Sequence, residues 1–401
     1  MKYESLFLDA NILYEAYLSS IKGSKWKATT QRFRLNFLLY LYEISDDIEN
    51  RTLKNGKSRV FKKDERGKVR IITSIGIRDQ VIRHVLCDYV LMPEVRKRII
   101  YDNCASLKGR GISQQRKRFE IHLHKYYQLH GSNEGFILFG DFTKFYDNII
   151  HAIAKRELLK LVNDDEFVEW LLDLIFDSFK VDASYLSDEE YENCLYDVFN
   201  SIDHYYIPDS EKTGEKWMKK SVNIGDQLSQ IIGIYYPYRI DNYVKTVRGM
   251  KFYGRYMDDF YLMAETKEEL WDILDGITAI AEEYGMHLNM KKTRIVKMGS
   301  TYKFLQIKYK LTETGKIIKR INPKRVTAMR QRLKSIQVKV INGDRVTDDA
   351  IQMFRSWMGG HYKYMSRKQR NNLLTLFEDL YDVTITIRKH KLYFQPNDLA
   401  A

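Results

Sequence analysis

Residues 251–265 read KFYGRYMDDFYLMAE. Two apolar, aromatic-rich runs flank a short polar centre, a pattern that predicts two strands joined by a tight turn. Upstream, residues 135–141 read GFILFGD, an apolar run of strand length that ends on Asp141. Taken singly, Asp258 and Asp259 are ordinary hairpin-turn residues, and Asp141 is an ordinary helix N-cap. Their order carries more information: a strand-end acid, a long helix predicted over 226–247, then an aromatic hairpin bearing two adjacent acids. A buried strand does not place carboxylates at its tip without compensation, because close unpaired carboxylates repel and take up protons.

Cations are the natural compensation. Oxygen ligands select hard ions such as Mg²⁺, which keeps waters and substrate phosphates in its shell. Two such ions roughly 3.5–4 Å apart activate a hydroxyl and stabilise the leaving oxygen of an in-line phosphoryl displacement. Asp141, Asp258 and Asp259 are therefore candidate metal ligands.

Around this centre, apolar spacing predicts two helices over 4–50, a β-hairpin over 58–74, a helix over 77–100 broken near Pro93, and a basic helix over 113–129. Helices are expected at 150–162, 165–178 and 267–285, strands at 293–298, 303–310 and 316–320, and mostly helix from 324 onward. Residues 181–220 read as a polar surface insertion. Helices and strands in segregated blocks predict an α+β protein and argue against a βαβ alternation.

The 401 residues include 66 Lys and Arg against 53 Asp and Glu, a net charge of +13, with 29 Tyr and 19 Phe. Positive charge with many aromatics points to a polyanion partner, most simply nucleic acid. The charge is uneven. Residues 51–118 hold 19 basic and 6 acidic residues, 320–370 hold 13 and 3, and 163–203 hold one basic residue against 13 acidic. Two basic blocks around an acidic middle suit a chain that grips a phosphate backbone at two places. Cys87, Cys104 and Cys194 form no CxxC pair, which excludes a zinc ribbon and a disulfide framework. The charged, amphipathic start is no signal peptide, and no apolar run reaches 18 residues, so a cytoplasmic protein without a membrane partner is expected.

The motifs together resemble the reverse transcriptase family, in particular its prokaryotic branch, over roughly residues 55–320. GDFTKFYDNI at 140–149 resembles the palm motif bearing the first metal-binding Asp, and YMDD at 256–259 resembles the second. ERGKVRIITSIGIRDQVIRHVL at 65–86 and NCASLKGRGISQQRKRF at 103–119 resemble fingers blocks. HLNMKKTRIVKM at 287–298 and YKFLQIKY at 302–309 resemble the primer-side blocks. The resemblance implies a right-hand polymerase fold with an antiparallel palm sheet: an N-terminal helical extension at 1–50, fingers at 51–130, palm at 131–320 and a basic helical thumb and tail at 321–401. It implies two Mg²⁺ ions, replaceable by Mn²⁺, held by Asp141, Asp258, Asp259 and the Phe142 carbonyl. Lys68, Arg70, Tyr146, Ile224 and Gln230 would meet the incoming dNTP, with Tyr146 excluding a ribose 2′-hydroxyl. Tyr256, Met257 and Lys292 would lie on the primer and template side.

Departures from the family narrow the reading. Within NIGDQLSQ at 223–230, Ile224 stands where group II intron and retroviral enzymes carry Gln, and Gln230 where they carry Pro. This pattern resembles enzymes of diversity-generating retroelements and of defence-associated bacterial lineages. Gln306 stands where relatives usually have Gly. No retron motif pair is found, and no maturase or endonuclease domain is expected after the palm. The resemblance thus implies RNA-templated DNA synthesis, with an antiphage role on a dedicated noncoding RNA expected first and a diversity-generating role second. The partners implied are a structured RNA, the DNA product, dNTPs, and an accessory protein or a second copy of the chain. A catalytically silent RNA-binding module is the reading of another class.

Overall fold

The structure, a computed structural model, describes residues 3–65, 67–388 and 391–397. The chain forms two compact units, one of residues 1–118 and 136–295, the other of 119–135 and 296–401.

The first unit is built on an antiparallel sheet. Phe136–Gly140 lies between Asp259–Ala264 and Arg294–Lys297, and Tyr253–Tyr256 completes the order beyond Asp259–Ala264. Gly140 pairs with Phe260, and a Cβ there would run into the Phe260 ring. Glycine thus admits the pairing that sets Asp141, one residue further on, alongside Asp259. The helix Lys267–Glu283 covers the sheet with Leu270, Ile273, Leu274, Ile277 and Ala281, a 3–4 spacing that puts all five on one stripe. Burying each of the larger ones stabilises the fold by about 2 kcal/mol. The helix Glu166–Asp177 adds Phe167, Val168, Leu171, Leu172, Ile175 and Phe176 to the same core, and Asp165 caps its first turn through Phe167 N and Val168 N.

Several elements differ from the expectation. The two helices expected over 4–50 are four: Glu4–Leu8, Ala10–Ser20, Ala28–Leu35 and Phe37–Glu49. Asp9 ends the first by capping the second through Asn11 N and Ile12 N. The long helix expected over 226–247 is broken at Pro237, which lacks the N–H that an unbroken helix needs. It consists of Gln227–Tyr235, Tyr238–Asn242 and a π-helical turn Tyr243–Val247. The break expected near Pro93 is not found: Ile77–His84, a π-helical segment Val85–Leu91 and Met92–Arg98 follow one another without a non-helical residue, and the proline is accommodated in the first turn of the last.

In the second unit the run expected as one strand over 303–310 is two, Tyr302–Phe304 and Ile307–Leu311, joined by Leu305 and Gln306, both with positive φ (40° and 77°). A positive φ is a conformation that glycine adopts freely and a residue with a side chain does not. Phe119 packs on Phe304 and Tyr309, ring centroids 4.7 and 5.1 Å apart. Helices Pro323–Ile341, Thr347–His361 and Arg367–Tyr381 follow, as expected. The last stretch is not helical: Val383–Arg388 and Lys391–Pro396 form a hairpin whose β-branched VTITIR run suits a strand. Phe354 and Phe377 stack at 4.5 Å, with Phe394 of the hairpin 5.4 Å from Phe377. Tyr364, in the short turn after the helix Thr347–His361, is buried. Among the described residues no helix is long and apolar enough to cross a membrane.

Candidate active site

Asp141 leaves the strand Phe136–Gly140 with little of its side chain exposed. Its main-chain oxygen accepts a hydrogen bond from Asn289 N at 2.7 Å, and its carboxylate is ion-paired with Lys292. The turn holding Lys292 is closed by Lys292 N and Thr293 N, which both donate to Asn289 O at 2.9 and 2.8 Å. Lys292 is therefore anchored to Asp141 through both backbone and side chain.

The two other acids are not both in the hairpin turn. Tyr256 pairs with Asp259, so the turn is Met257–Asp258, and Asp259 is the first residue of the returning strand. Met257 has φ 57°, a left-handed conformation that costs a non-glycine residue about 1 kcal/mol or more. Two-residue hairpins require such values to match the twist of their strands.

The acids act on one another. Burial raises the Asp258 pKa, Asp141 raises it further, and Lys292 and Arg70 oppose the rise. Asp259 lies at the exposed end of the turn, yet surrounding protein displaces enough water that its pKa is pushed up to about 7. Asp258 and Asp141 add to that rise, and Lys292 and Lys68 work against it. One electrostatic field therefore joins three acids to Lys292, Arg70 and Lys68. Among the described residues no three acidic, imidazole or thiol side chains are gathered into a ready-made cation cage. The donor chemistry nonetheless suits a hard divalent ion: the ligands are all oxygen, they repel one another, and a lysine ammonium supplies positive charge at Asp141.

Lys68 and Arg70 belong to the hairpin Arg59–Asp64 and Val69–Ser74, as expected, but only Arg70 is in a strand. Lys68 closes the turn, exchanging main-chain hydrogen bonds with Glu65, and Arg70 Nε lies 3.4 Å from Glu65 Oε2. The hairpin is stitched to the loop before the helix Gln227–Tyr235. Thr73 N donates to Ile224 O at 3.0 Å, and Thr73 Oγ1 bonds Asn223 Oδ1 at 3.2 Å. Gly225 has φ 117°, and a Cβ there would sit 2.8 Å from Thr73 O, so both conformation and close approach require glycine. Ile224 is half-buried, while Gln230 is exposed on its helix.

Tyr146 stands in the turn Phe145–Asn148. Its hydroxyl is 3.8 Å from Met257 Sδ, and a Cβ at Gly233 would lie 2.6 Å from the same oxygen. Burial, with Asp258 adding to it, pushes its pKa up to about 12, so the phenol stays neutral. Phe142 pairs with Leu288, and its ring is buried against Phe145 and Phe260. Tyr256 is half-buried, its pKa raised by burial and by Cys104.

The profile of the reverse transcriptase (RNA-dependent DNA polymerase) family matches residues 60–309, which contain every one of these side chains. The chain belongs to the reverse transcriptase family. Its α+β architecture is accordingly that family's right-hand polymerase fold. Among solved structures it is similar to telomerase from Candida albicans in complex with a fragment of telomeric RNA, at 13% identity and TM-score 0.43 over 85% of this chain and 65% of that one. It is also similar to apo telomerase from Candida tropicalis, at 13% identity and TM-score 0.41 over 82% of this chain and 63% of that one. The chain thus spans less than two thirds of the length of these telomerases. A comparison with curated proteins gives no match.

The reverse transcriptase motifs do not mark every residue that shapes the site. Arg255, inside the quoted hairpin, is 0% exposed. Its Nε and Nη2 grip Asp241, its Nη2 also donates to Ile234 O at 2.8 Å, and its Nη1 donates to Met257 O at 3.0 Å. The available signal was an arginine in a buried strand, which demands a partner. Asp241 gave no such signal, because 14 residues separate it from Arg255. Gly233 lay unnoticed within an apolar helix.

Proposed function

We propose that the chain is an RNA-templated DNA polymerase that extends a primer with deoxynucleotides by two-ion nucleotidyl transfer. The observation that carries this reading is the placing of Asp141 beside Asp258 and Asp259 in one field with Lys292, Arg70 and Lys68. Two divalent ions, Mg²⁺ with Mn²⁺ able to substitute, would activate the primer hydroxyl and stabilise the leaving pyrophosphate oxygen. Asp141, Asp258 and Asp259 would hold them, with the Phe142 carbonyl as a further ligand. Lys292, which neutralises Asp141, would yield its place on that carboxylate. Arg70 and Lys68 would bind the triphosphate, with Ile224 and Gln230 bordering the nucleotide. Tyr146 would bar a 2′-hydroxyl, and Tyr256 and Met257 would meet the primer end.

In this reading residues 51–130 serve as fingers, 131–320 as palm with its insertion at 181–220, and 321–401 as thumb. A structured noncoding RNA is the template proposed, in a bacterial antiphage system, with an accessory protein or second copy as further partners. The Ile224 and Gln230 pattern also suits a diversity-generating retroelement. A silent RNA-binding module would have no need of three mutually repelling carboxylates.

Primer extension on an RNA template tests the reaction: Asp258→Asn should abolish it, and residual synthesis within tenfold of wild type would refute the assignment. Sequencing RNA that copurifies through a high-salt wash tests the role. A single RNA encoded beside the gene supports the dedicated template, and a random transcript pool overturns it.

A further inference from the structure

The C-terminal unit contains a cavity of about 830 Å³ between the helix Thr347–His361 and the strand Lys391–Pro396. Its size lies within the usual range of small-molecule sites, roughly 300–1,000 Å³. The buried Met358 and Leu392 give it an apolar floor, and Gly359, which is exposed, lines it too. Tyr362 and Tyr393 line it as well, and the Arg370 guanidinium lies 4.6 Å from the Tyr362 ring centre. Arg355, Lys363 and Lys391 also line it, and among the described residues no carboxylate pairs with any of the three. Lys363 and Arg355 instead lie over the rings of Tyr364 and Phe394, at 5.0 and 5.1 Å.

A second observation comes from the helix. Gly359 and Gly360 are consecutive near its end, where glycine is less favourable than alanine. Neither has a positive φ, and a Cβ on either would meet nothing within 4 Å. Among the described residues, neither backbone conformation nor packing therefore calls for glycine here. At Gly359 the lining of the cavity is helix backbone with no side chain over it.

We propose that this cavity binds an unpaired RNA nucleotide, its base against the tyrosines and the apolar floor, its flanking phosphates on Arg355, Lys363 and Lys391. The inference rests on the reading that the chain handles RNA, but it concerns a site that needs no catalysis. Cations without a carboxylate partner among the described residues select an anion, and flat aromatic and apolar walls select a planar heterocycle. A duplex would offer such a cavity only its phosphates, because its bases are already stacked and paired. An unpaired nucleotide offers both parts, and base stacking on aromatic side chains is sequence-tolerant.

The full-length chain tests this with two fluorescent RNA hairpins, one blunt and one with a short single-stranded uridine tail. Wild type should bind the tailed hairpin about tenfold more tightly, as stacking of one base would give. Gly359→Leu puts a branched side chain into the cavity from a position where a Cβ meets nothing within 4 Å, so it should erase that preference and leave blunt-hairpin binding unchanged. Tyr393→Ala should reduce the preference in the same direction. Asp258→Asn should keep it in full. The proposal is overturned if wild type shows no preference, if Gly359→Leu retains it, or if Asp258→Asn loses it, which would place the tail at the polymerising site. It is also overturned if polyglutamate displaces the tail as well as oligouridylate does, since charge alone would then explain the binding. A wild-type chain that keeps the tail preference but extends no primer would refute the polymerase reading and leave the cavity assignment intact.

Discussion

The Arg255 guanidinium closes on both carboxylate oxygens of Asp241, at 2.8 and 2.6 Å, with both side chains shut off from water. Tyr253 donates to the same carboxylate at 2.7 Å. The remaining Arg255 donors reach the carbonyls of Gly233, Ile234 and Met257, so one side chain ties the helix under Tyr146 to the strained turn carrying Asp258.

Loss of this fork should separate activity from stability. Arg255→Lys keeps the charge but cannot bind two oxygens in a plane. Its kcat for primer extension should fall about a hundredfold through misplacement of the acids, with KM for dNTP nearly unchanged. Asp241→Ala leaves a buried, uncompensated cation and should cost about 3–5 kcal/mol in urea unfolding. The double variant Arg255→Met, Asp241→Leu should regain most of that stability and none of the activity. Recovery of activity as well would show that the pair does not position the turn.

The raised acids should make stability depend on pH and on divalent ions. Asp259 holds its proton up to about pH 7 in the folded chain, against 3.8 for the ordinary side chain. Between those values the folded state binds the extra proton, so this group's contribution to stability falls as pH rises through the window. Asp259→Asn should therefore raise Tm more at pH 8 than at pH 4.5. MgCl₂ should stabilise wild type more at pH 8 than at pH 5.5, where protons compete for the same oxygens, and should not stabilise Asp258→Asn, Asp259→Asn. Thermal unfolding at these pH values checks each sign.

Sugar choice should be set by Tyr146 and, through it, by Gly233. Tyr146→Ala should raise the rNTP to dNTP ratio of kcat/KM at least about tenfold by removing a steric barrier. Gly233→Ala places a methyl 2.6 Å from the Tyr146 hydroxyl and 3.2 Å from Met257 Sδ, so it should displace the ring and alter the same ratio without touching nucleotide. Steady-state incorporation of matched rNTP and dNTP measures both. An unchanged ratio in both variants would move the gate elsewhere.

Arg70→Ala should raise the KM for dNTP about tenfold or more while RNA binding by anisotropy stays within twofold, because a triphosphate contact is local. The same variant removes a charge that holds the Asp258 pKa down, so its pH–rate profile should shift to higher pH. Equal losses in nucleotide and RNA binding would reduce Arg70 to a general basic residue.

Much of this protein is readable locally. The alternation in residues 251–265, the apolar run ending on Asp141 and the 3–4 spacing of the helix Lys267–Glu283 are short-range patterns, and each led to the element found. The motifs imply Asp141, Asp258 and Asp259 as metal ligands and Lys68 and Arg70 as triphosphate contacts; in the structure the charges of the two sets act on one another. Where local pattern and structure differ the cause is also local: the helical spacing of 226–247 is interrupted by Pro237, and VTITIR at 383–388, in a stretch expected to be helical, is made of residues that favour a strand.

Other features exist only once the chain has folded. The 140–260 register brings Asp141 beside Asp259 across more than a hundred residues, and no local periodicity specifies which strands pair. Lys292 pairs with Asp141 because the Asn289 turn docks on that residue's main chain. Asp241 becomes the partner of Arg255 because both are buried at the same place, where an arginine needs a carboxylate and water cannot serve. Gly225 and Gly359 look alike in sequence; in the structure a neighbouring backbone oxygen requires the first, and open space surrounds the second. Periodicity and residue chemistry determined the elements and the acid and base types of the site, because both act over a few neighbouring residues. Which charges meet, which glycines are required and where a cavity opens depended on long-range burial, which only the tertiary structure decides.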